Sequence, residues 1–215
     1  MIGLSRVKIY FKGYASRNIQ KNFDDYMSYL FHEKVNELFR GTEFEDFRFF
    51  TFSGFRIENR IINFIVSSVS DEFIRMLVSA FVMGESIIFN NCKLEIVKAE
   101  FLPRPILKNG EASFITASPI FLADCLVMDN LGDILEDLLI QNFCDYFNRQ
   151  RGDLHCEFYS RHDHYGTYSE ESETFRNYYY NIDIVMKGSP ELIAFAYDVG
   201  LGNSNNQGFG MLDIY

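Results

Sequence analysis

The order of residue periodicities along the first half of the chain restricts its fold more than any other feature. Residues 4–12 alternate strictly, with Val7, Ile9 and Phe11 on one side and mostly charged residues on the other, as in a half-buried strand. The patterns that follow predict a helix, two strands, a second helix capped by Ser70 and a hairpin, at residues 17–39, 48–55, 60–68, 71–84 and 86–102. This order is that of a ferredoxin-like domain.

The second half repeats this order after a linker at residues 103–110, which contains two prolines and an Asn-Gly pair. The patterns predict strands near 113–127, 154–162 and 176–187, helices at 129–148 and 189–200, and a strand at the end of the chain. We therefore predict an α+β protein of two tandem ferredoxin-like (βαββαβ) domains, residues 1–102 and 111–215. The halves share the pattern but no close residue-level repeat.

Charge is distributed unevenly between the two halves. A net charge of -10 for 215 residues argues against a uniformly cationic nucleic-acid binder. Residues 1–108 nevertheless contain 15 Lys and Arg against 13 Asp and Glu, whereas residues 109–215 contain 5 against 17. Residues 1–21 contain five basic residues and no acid, which is compatible with a local phosphate-binding patch. A solvated basic surface without a ligand is the alternative interpretation.

The sequence also predicts a cytoplasmic location without a membrane partner. No apolar run reaches the ~20 residues that a membrane-spanning helix needs, and MIGLSRVKIY lacks a long apolar signal core. The four cysteines, Cys92, Cys125, Cys144 and Cys156, form no CxxC pair. We therefore expect them to be reduced thiols.

The segment GLGNSNNQGFG, residues 200–210, is the most unusual local motif, because two Gly-x-Gly pairs flank five polar residues. Glycine has no Cβ, so we expect the loop to expose backbone N–H groups toward a phosphate backbone. The spacing matches neither the Rossmann fingerprint nor a P-loop. A tight solvent-exposed loop between a helix and a strand is the alternative. The candidate RNA-contacting residues of the loop are Gly200, Gly202, Asn203, Gln207, Gly208 and Gly210.

Four stretches, in their order along the chain, carry a family resemblance. They are FFTFSGF at 49–55, FIVSSVSDEFIRMLVSAF at 64–81, FITASPIFL at 114–122 and GSPELIAFAYDVGLGNSNNQGFGML at 188–212. With them the chain resembles the repeat-associated RNA-binding proteins of CRISPR systems, and within these the sixth Cas family, the CRISPR repeat-RNA endoribonucleases. The resemblance implies two ferredoxin-like domains with RNA held between them, and cleavage of the repeat without metal or other cofactors. CRISPR repeat RNA is the implied partner, with other effector subunits as a further alternative, and the oligomeric state is left open.

Cleavage without a metal needs proton transfer by side chains. The ribose 2′-OH attacks the adjacent phosphate, which yields a 2′,3′-cyclic phosphate and a 5′-OH. The family pattern places a histidine near the end of the first helix, where this chain has Phe39, and Phe cannot move a proton. A repeat-RNA-binding protein of the same fold that does not cut is therefore the alternative function.

His32 is the candidate base or acid, since histidine titrates near neutral pH. The helical stripe predicted to be buried centres on Met27, Lys34 and Leu38, which places His32 about 140° away on a face open to solvent or RNA. A surface histidine without a function is the alternative. The other candidate catalytic residues are Tyr29 and Lys21, and the candidate cations for RNA are Arg6, Lys8 and Arg17.

The three remaining histidines, His155, His162 and His164, lie close together in the sequence. With Cys156 or Glu157 they could be imagined as a metal cluster, but their spacing matches no zinc pattern. We therefore predict no metal site there and favour a surface hairpin.

Overall fold

The structure is a computed structural model that describes residues 5–13, 23–59, 61–89, 92–104, 110–126, 130–162 and 175–214. The chain divides into two compact units. The first comprises residues 1–104 together with 206–208, and the second comprises residues 105–205 together with 209–215. The point of division lies within the predicted linker.

The first unit is a six-stranded antiparallel sheet with two helices. Its elements are β1 (Arg6–Lys12), α1 (Phe23–Phe39), β2 (Phe50–Phe52), β3 (Arg56–Glu58), β4 (Ile61–Ser68), α2 (Asp71–Val82), β5 (Ile87–Phe89) and β6 (Cys92–Leu102). The strand order is β2-β4-β1-β6-β5, and β3 also pairs with β4. The first strand therefore lies between the third and fourth strands of the βαββαβ unit, as in a ferredoxin-like sheet.

Two local sequence patterns of the first unit are confirmed. Val7, Ile9 and Phe11 are fully buried, as the alternation of β1 predicts. Ser70 caps α2 by accepting a hydrogen bond from the backbone N–H of Phe73 at 3.2 Å, which satisfies an otherwise unpaired first-turn amide.

The predicted buried face of α1 is rotated about the helix axis by part of a turn from the observed one. Met27, Phe31, Val35 and Phe39 form the buried row, and Lys34 lies beside it. Phe31 packs against Phe64 with ring centroids 4.8 Å apart, so this ring fixes the orientation of the helix. The predicted start of the helix, residues 17–22, lies outside the described residues.

The second unit contains a four-stranded sheet, a two-stranded sheet and two α-helices. Its elements are β7 (Glu111–Thr116), β8 (Ile120–Leu126), α3 (Leu131–Phe147), β9 (Cys156–His162), β10 (Phe175–Tyr180), β11 (Asp183–Gly188), α4 (Pro190–Val199), a 3₁₀ helix (Asn205–Gln207) and β12 (Leu212–Ile214). The larger sheet has the order β12-β7-β11-β9, and β10 pairs with β8. This is again a ferredoxin-like order.

The predicted α+β class with two tandem ferredoxin-like folds is confirmed by these strand orders. The span predicted as strand at 176–187 proves to be two strands, because the chain leaves β10 after Tyr180 and enters a different sheet at Asp183. Within the described part of the chain, no helix combines the length and apolar character needed to cross a membrane.

Candidate nucleic-acid interface

The glycine-rich loop is held by hydrogen bonds to its own unit. The backbone N–H of Gly200 donates to the Ala196 carbonyl at 2.8 Å, which closes the last turn of α4. Other amides of the loop also donate to carbonyls, namely Leu201 to Gly210 at 2.9 Å, Asn203 to Phe121 at 2.8 Å and Gly210 to Pro119 at 2.8 Å. The expectation that the glycine pairs expose their amides to a ligand is therefore wrong for these groups.

Close packing explains the glycines better than exposed amides do. Gly202 has a φ of +85°, and a Cβ there would lie 2.4 Å from the Phe121 carbonyl oxygen. Gly210 has a φ of +71°, and a Cβ there would lie 1.9 Å from the Leu201 carbonyl oxygen. No L side chain fits either position without moving the backbone. These glycines set the shape of the loop.

The polar residues of the loop divide into inward-facing and outward-facing groups. The side-chain oxygen of Asn203 accepts a hydrogen bond from the Ala123 backbone N–H at 3.0 Å, so this amide ties the loop to β8. Asn205 is buried, whereas Gln207 is exposed. Gln207 is thus the predicted loop contact whose side chain is most available to a ligand.

The cations predicted on β1 differ in their accessibility. Arg6 is only 1% exposed, and its Nε donates to the Ser67 hydroxyl at 3.1 Å. Arg6 thus departs from the expected solvent-facing cationic row, because its guanidinium is drawn into the polar interior beside β4. Lys8 is half-buried, with its Nζ 5.2 Å from the centre of the Tyr10 ring, a distance typical of a cation–π contact.

Sequence reasoning missed that Tyr10 is part of a cationic cluster. Lys98, on the neighbouring strand β6, also places its Nζ 5.2 Å from the Tyr10 ring, and it bonds Glu100 at 2.7 Å. The carboxylate of Glu100 raises the pKa of Lys98 and keeps that ammonium charged. The alternation of β1 placed Tyr10 correctly on the outer side, but only the strand pairing brings Lys98 to it.

The two described catalytic candidates share one region of α1. Tyr29 is 59% exposed, and His32 follows three residues later, about 60° around the helix. The His32 side chain is only 19% exposed, and Phe31 and Val35 of the buried row are its neighbours on the helix. His32 is thus at the edge of the core, where sequence analysis expected an open face. Lys21 and Arg17 lie outside the described residues.

Partial burial also sets the protonation of His32. Desolvation lowers the pKa of this imidazole below its ordinary value, because the charged form loses hydration. The Glu33 carboxylate, 3.9 Å from His32 Nδ1, opposes the shift. An imidazole with a lowered pKa is mainly neutral at pH 7, which is the form that can accept a proton.

Comparison with known proteins identifies the family. The model described as CRISPR associated protein Cas6, C-terminal, matches residues 102–214, more than half of the chain. The chain belongs to the Cas6 family. The matched range contains the whole glycine-rich loop, and the predicted resemblance to CRISPR repeat-RNA endoribonucleases is confirmed.

Individual relatives of this Cas6-family chain agree in sequence and in fold. CRISPR-associated endoribonuclease Cas6 1 of Methanocaldococcus jannaschii is 27% identical over 198 residues, which cover 79% of this chain and 74% of that protein. A solved Cas6-related protein from Pyrococcus furiosus has a TM-score of 0.78 at 18% identity, with 98% of each chain covered. A structure described as an RAMP protein binding different RNA substrates has a TM-score of 0.75 at 16% identity, covering 98% of this chain and 99% of that one.

Phe39, which sequence analysis aligned with the family histidine, lies in the core. It is 3% exposed and stacks on Phe73 with ring centroids 4.8 Å apart. A histidine that pointed in the same direction would have to replace these apolar contacts. Phe39 itself cannot transfer a proton, and His32 is the nearest histidine in the sequence.

The histidines in and beside β9 lie in different surroundings, and only part of this group is described. His155 is exposed and Cys156 is buried, and the thiol lies beside Glu136 and Glu157. Burial and these two carboxylates raise the pKa of Cys156 to about 12. Among the residues whose positions are described, no three His, Cys, Asp or Glu side chains are close enough to hold a metal ion. The side chain of His162 and all of His164 lie outside them.

Proposed function

We propose that this Cas6-family protein binds CRISPR repeat RNA and cleaves it within each repeat without a metal ion, to give guide RNAs. The observation that carries the proposal is the family match over residues 102–214, which includes the glycine-rich loop. The named endoribonuclease activity of the Methanocaldococcus jannaschii relative supports the same reaction class.

The proposed reaction uses His32 as the general base. Neutral His32 accepts the proton of the ribose 2′-OH while the 2′-oxygen forms a bond to the adjacent phosphorus. The bond from phosphorus to the 5′-oxygen breaks, this oxygen takes a proton from solvent water to become the 5′-OH, and protonated His32 returns its proton to the solvent. The other product is a 2′,3′-cyclic phosphate, so atoms and charge balance without a co-reactant.

The remaining site residues hold the RNA and stabilise charge. Tyr29, exposed one turn from His32, offers a hydroxyl to the phosphorane, and Lys21 is proposed to supply a positive charge. Lys8 and Arg17 are proposed to bind phosphates, whereas the buried Arg6 is no longer proposed as an RNA contact. The exposed amide of Gln207, at the tip of the glycine-rich loop, is proposed as a further RNA contact.

The test uses repeat RNA from the same genome as the protein. His32→Ala is expected to slow cleavage by about 10²-fold while leaving RNA affinity unchanged, because proton transfer is lost and the binding surface is kept. His155→Ala is the matched control, since His155 is an exposed histidine of the second unit outside the candidate site. Equal rates for the wild-type protein and His32→Ala would remove His32 from the mechanism.

Two further conditions test the chemistry itself. RNA with a 2′-deoxyribose at the cleaved position should bind but remain intact, because the nucleophile is missing. Cleavage of unmodified RNA should persist in EDTA, and its loss on chelation would contradict the metal-independent mechanism.

The alternative function is a repeat-RNA-binding protein that does not cut. The buried position of Phe39, where the family pattern has a histidine, favours this alternative. It predicts salt-sensitive binding of repeat RNA by the wild-type protein with no cyclic-phosphate product under any condition.

A further inference from the structure

The two faces of the sheet in the first unit carry different side chains. Phe31 of α1 packs on Phe64 of β4, and Phe64 pairs with Ile9 of β1. Since paired residues of neighbouring strands point to the same face, α1 covers the face that contains Ile9. Successive residues of a strand point to opposite faces, so Tyr10 lies on the second face, away from α1 and His32. No part of the proposed proton transfer takes place on this second face.

The strand registers align four polar side chains in a line across the second face. Tyr10 pairs with Asn63 of β4 on one side and with Lys98 of β6 on the other. Asn63 in turn pairs with Arg56 of β3. Asn63 is buried, whereas Arg56 and Lys98 are exposed. Because neighbouring strands lie ~4.8 Å apart, the line extends over about 14 Å, with a cation at each end and an aromatic ring between them.

The ring of Tyr10 is half-buried and has two ammonium groups beside it. The Nζ atoms of Lys8 and Lys98 each lie 5.2 Å from the centre of the ring. The Tyr10 hydroxyl donates to the Glu100 carboxylate at 3.4 Å, which restrains the direction of the ring. The Lys98 side chain is 59% exposed, so its ammonium can move from the ring to a phosphate without crossing the protein interior. An aromatic face beside positive charge is what proteins use to bind an unpaired base and its phosphate.

The second unit contains a similar tyrosine in acidic surroundings. Tyr159 of β9 is 48% exposed, its hydroxyl donates to Glu157, and the Nζ of Lys187 lies 5.6 Å from its ring centre. Lys187 also lies 3.4 Å from Glu111, so two carboxylates face one ammonium there. At Tyr10 the balance is reversed, because two ammonium groups face one carboxylate. The surroundings of Tyr10 therefore attract a phosphate, whereas those of Tyr159 repel it.

We infer that Tyr10 is a stacking platform for an unpaired base of the bound RNA, and that Lys8 and Lys98 bind the phosphates beside that base. The inference rests on the proposed binding of repeat RNA and adds a contact on the face of the sheet opposite His32. Sheets of RNA-recognition modules stack two or three bases on aromatic side chains in this way. Because Tyr10 lies away from His32, it determines how tightly the RNA is held and not how fast bound RNA is cut.

The test measures affinity and cleavage rate separately, with repeat RNA from the same genome as the protein. Affinity is measured with RNA that has a 2′-deoxyribose at the cleaved position, and the rate is measured in a single turnover with unmodified RNA and saturating protein. Tyr10→Leu keeps the apolar bulk but removes the aromatic face, so it should weaken binding about tenfold and leave the saturated rate unchanged. Tyr10→Phe should bind like the wild-type protein, because only the hydroxyl is lost. Lys98→Ala should weaken binding and make it less sensitive to salt, by about one phosphate contact.

Tyr159→Leu is the matched control, because Tyr159 has the same ring, hydroxyl partner and lysine neighbour but acidic surroundings. It should leave RNA affinity unchanged. Tyr10→Leu binding as tightly as the wild-type protein, or Tyr10→Phe binding as weakly as Tyr10→Leu although circular dichroism shows both folded, would overturn the inference and leave the proposed cleavage intact. RNA that binds with the expected Tyr10 dependence but is never cut would support the inference and contradict the proposed cleavage.

Discussion

In the first unit β1 lies between β4 and β6, and in the second unit β7 lies between β11 and β12. The strand orders correspond, but the interiors do not. Buried phenylalanines of the first unit are Phe11, Phe31, Phe39, Phe50, Phe52, Phe55, Phe64, Phe73 and Phe81, whereas those described in the second are Phe114, Phe143 and Phe195. One strand order is thus compatible with an aromatic core and with a largely aliphatic core.

The two halves differ in charge as well. Residues 1–108 contain 15 basic and 13 acidic residues, and residues 109–215 contain 5 and 17. The proposed cations and His32 belong to the first unit, while most of the glycine-rich loop belongs to the second. Because periodicity and caps specify the ferredoxin-like order, each half is free to vary its side chains for a different part of the proposed function.

The aromatic core of the first unit should be the feature most sensitive to truncation. Phe31 contacts several rings, with centroid distances of 4.8 Å to Phe64 and 4.9 Å to Phe52. Phe31→Ala should lower the free energy of unfolding by about 3–5 kcal/mol, because it leaves a cavity among rigid rings. Urea denaturation followed by circular dichroism measures this change.

The matched control for this core truncation comes from the second unit. Phe147 also contacts aromatic neighbours but is 49% exposed. Phe147→Ala should cost only about 1 kcal/mol. Equal losses for the two variants would contradict the view that burial among other rings makes Phe31 important for stability.

The glycine-rich loop should be the next most sensitive feature. Gly210→Ala forces a Cβ against the Leu201 carbonyl oxygen, so we expect a loss of about 3 kcal/mol in unfolding free energy. Gly41 of the first unit has nearly the same φ, +74° against +71°, but no atom within 4 Å of its would-be Cβ. Gly41→Ala should therefore cost only about 1 kcal/mol, the strain of the left-handed backbone alone. Thermal unfolding of both variants measures the difference, and similar losses would show that backbone strain and not close packing requires Gly210.

The sequence predicted those features that depend on local pattern. The alternation of β1 placed Val7, Ile9 and Phe11 in the core, and the Ser70 cap of α2 followed from its position before two acidic residues. Both are decided within a few neighbouring residues, so tertiary contacts do not change them.

Features that depend on distant contacts were not predictable. Apolar residues lie on several faces of α1, so periodicity alone did not show which face is buried. The predicted face centred on Lys34, whereas the buried one contains Phe31. The burial of Arg6 depends on Ser67, 61 residues away. Likewise, the backbone N–H groups of Asn203 and Gly210 donate hydrogen bonds to the carbonyls of Phe121 and Pro119, which are distant in the sequence. No local motif could reveal these partners.

The smallest predicted effect is a shift in the pH dependence of the cleavage rate. It tests whether His32, with Glu33 beside it, is the group that titrates. If neutral His32 is the base, the cleavage rate rises with pH and reaches a plateau above the pKa of His32, which burial places below its ordinary value. The Glu33 carboxylate raises this pKa, so Glu33→Gln should move the acid limb of the rate profile to lower pH, by less than about one pH unit. Glu37→Gln is the matched control, because Glu37 is an exposed acid of the same helix that pairs with Lys34. A limb that stays in place in Glu33→Gln, or moves equally in both variants, would show that the titrating group is not His32.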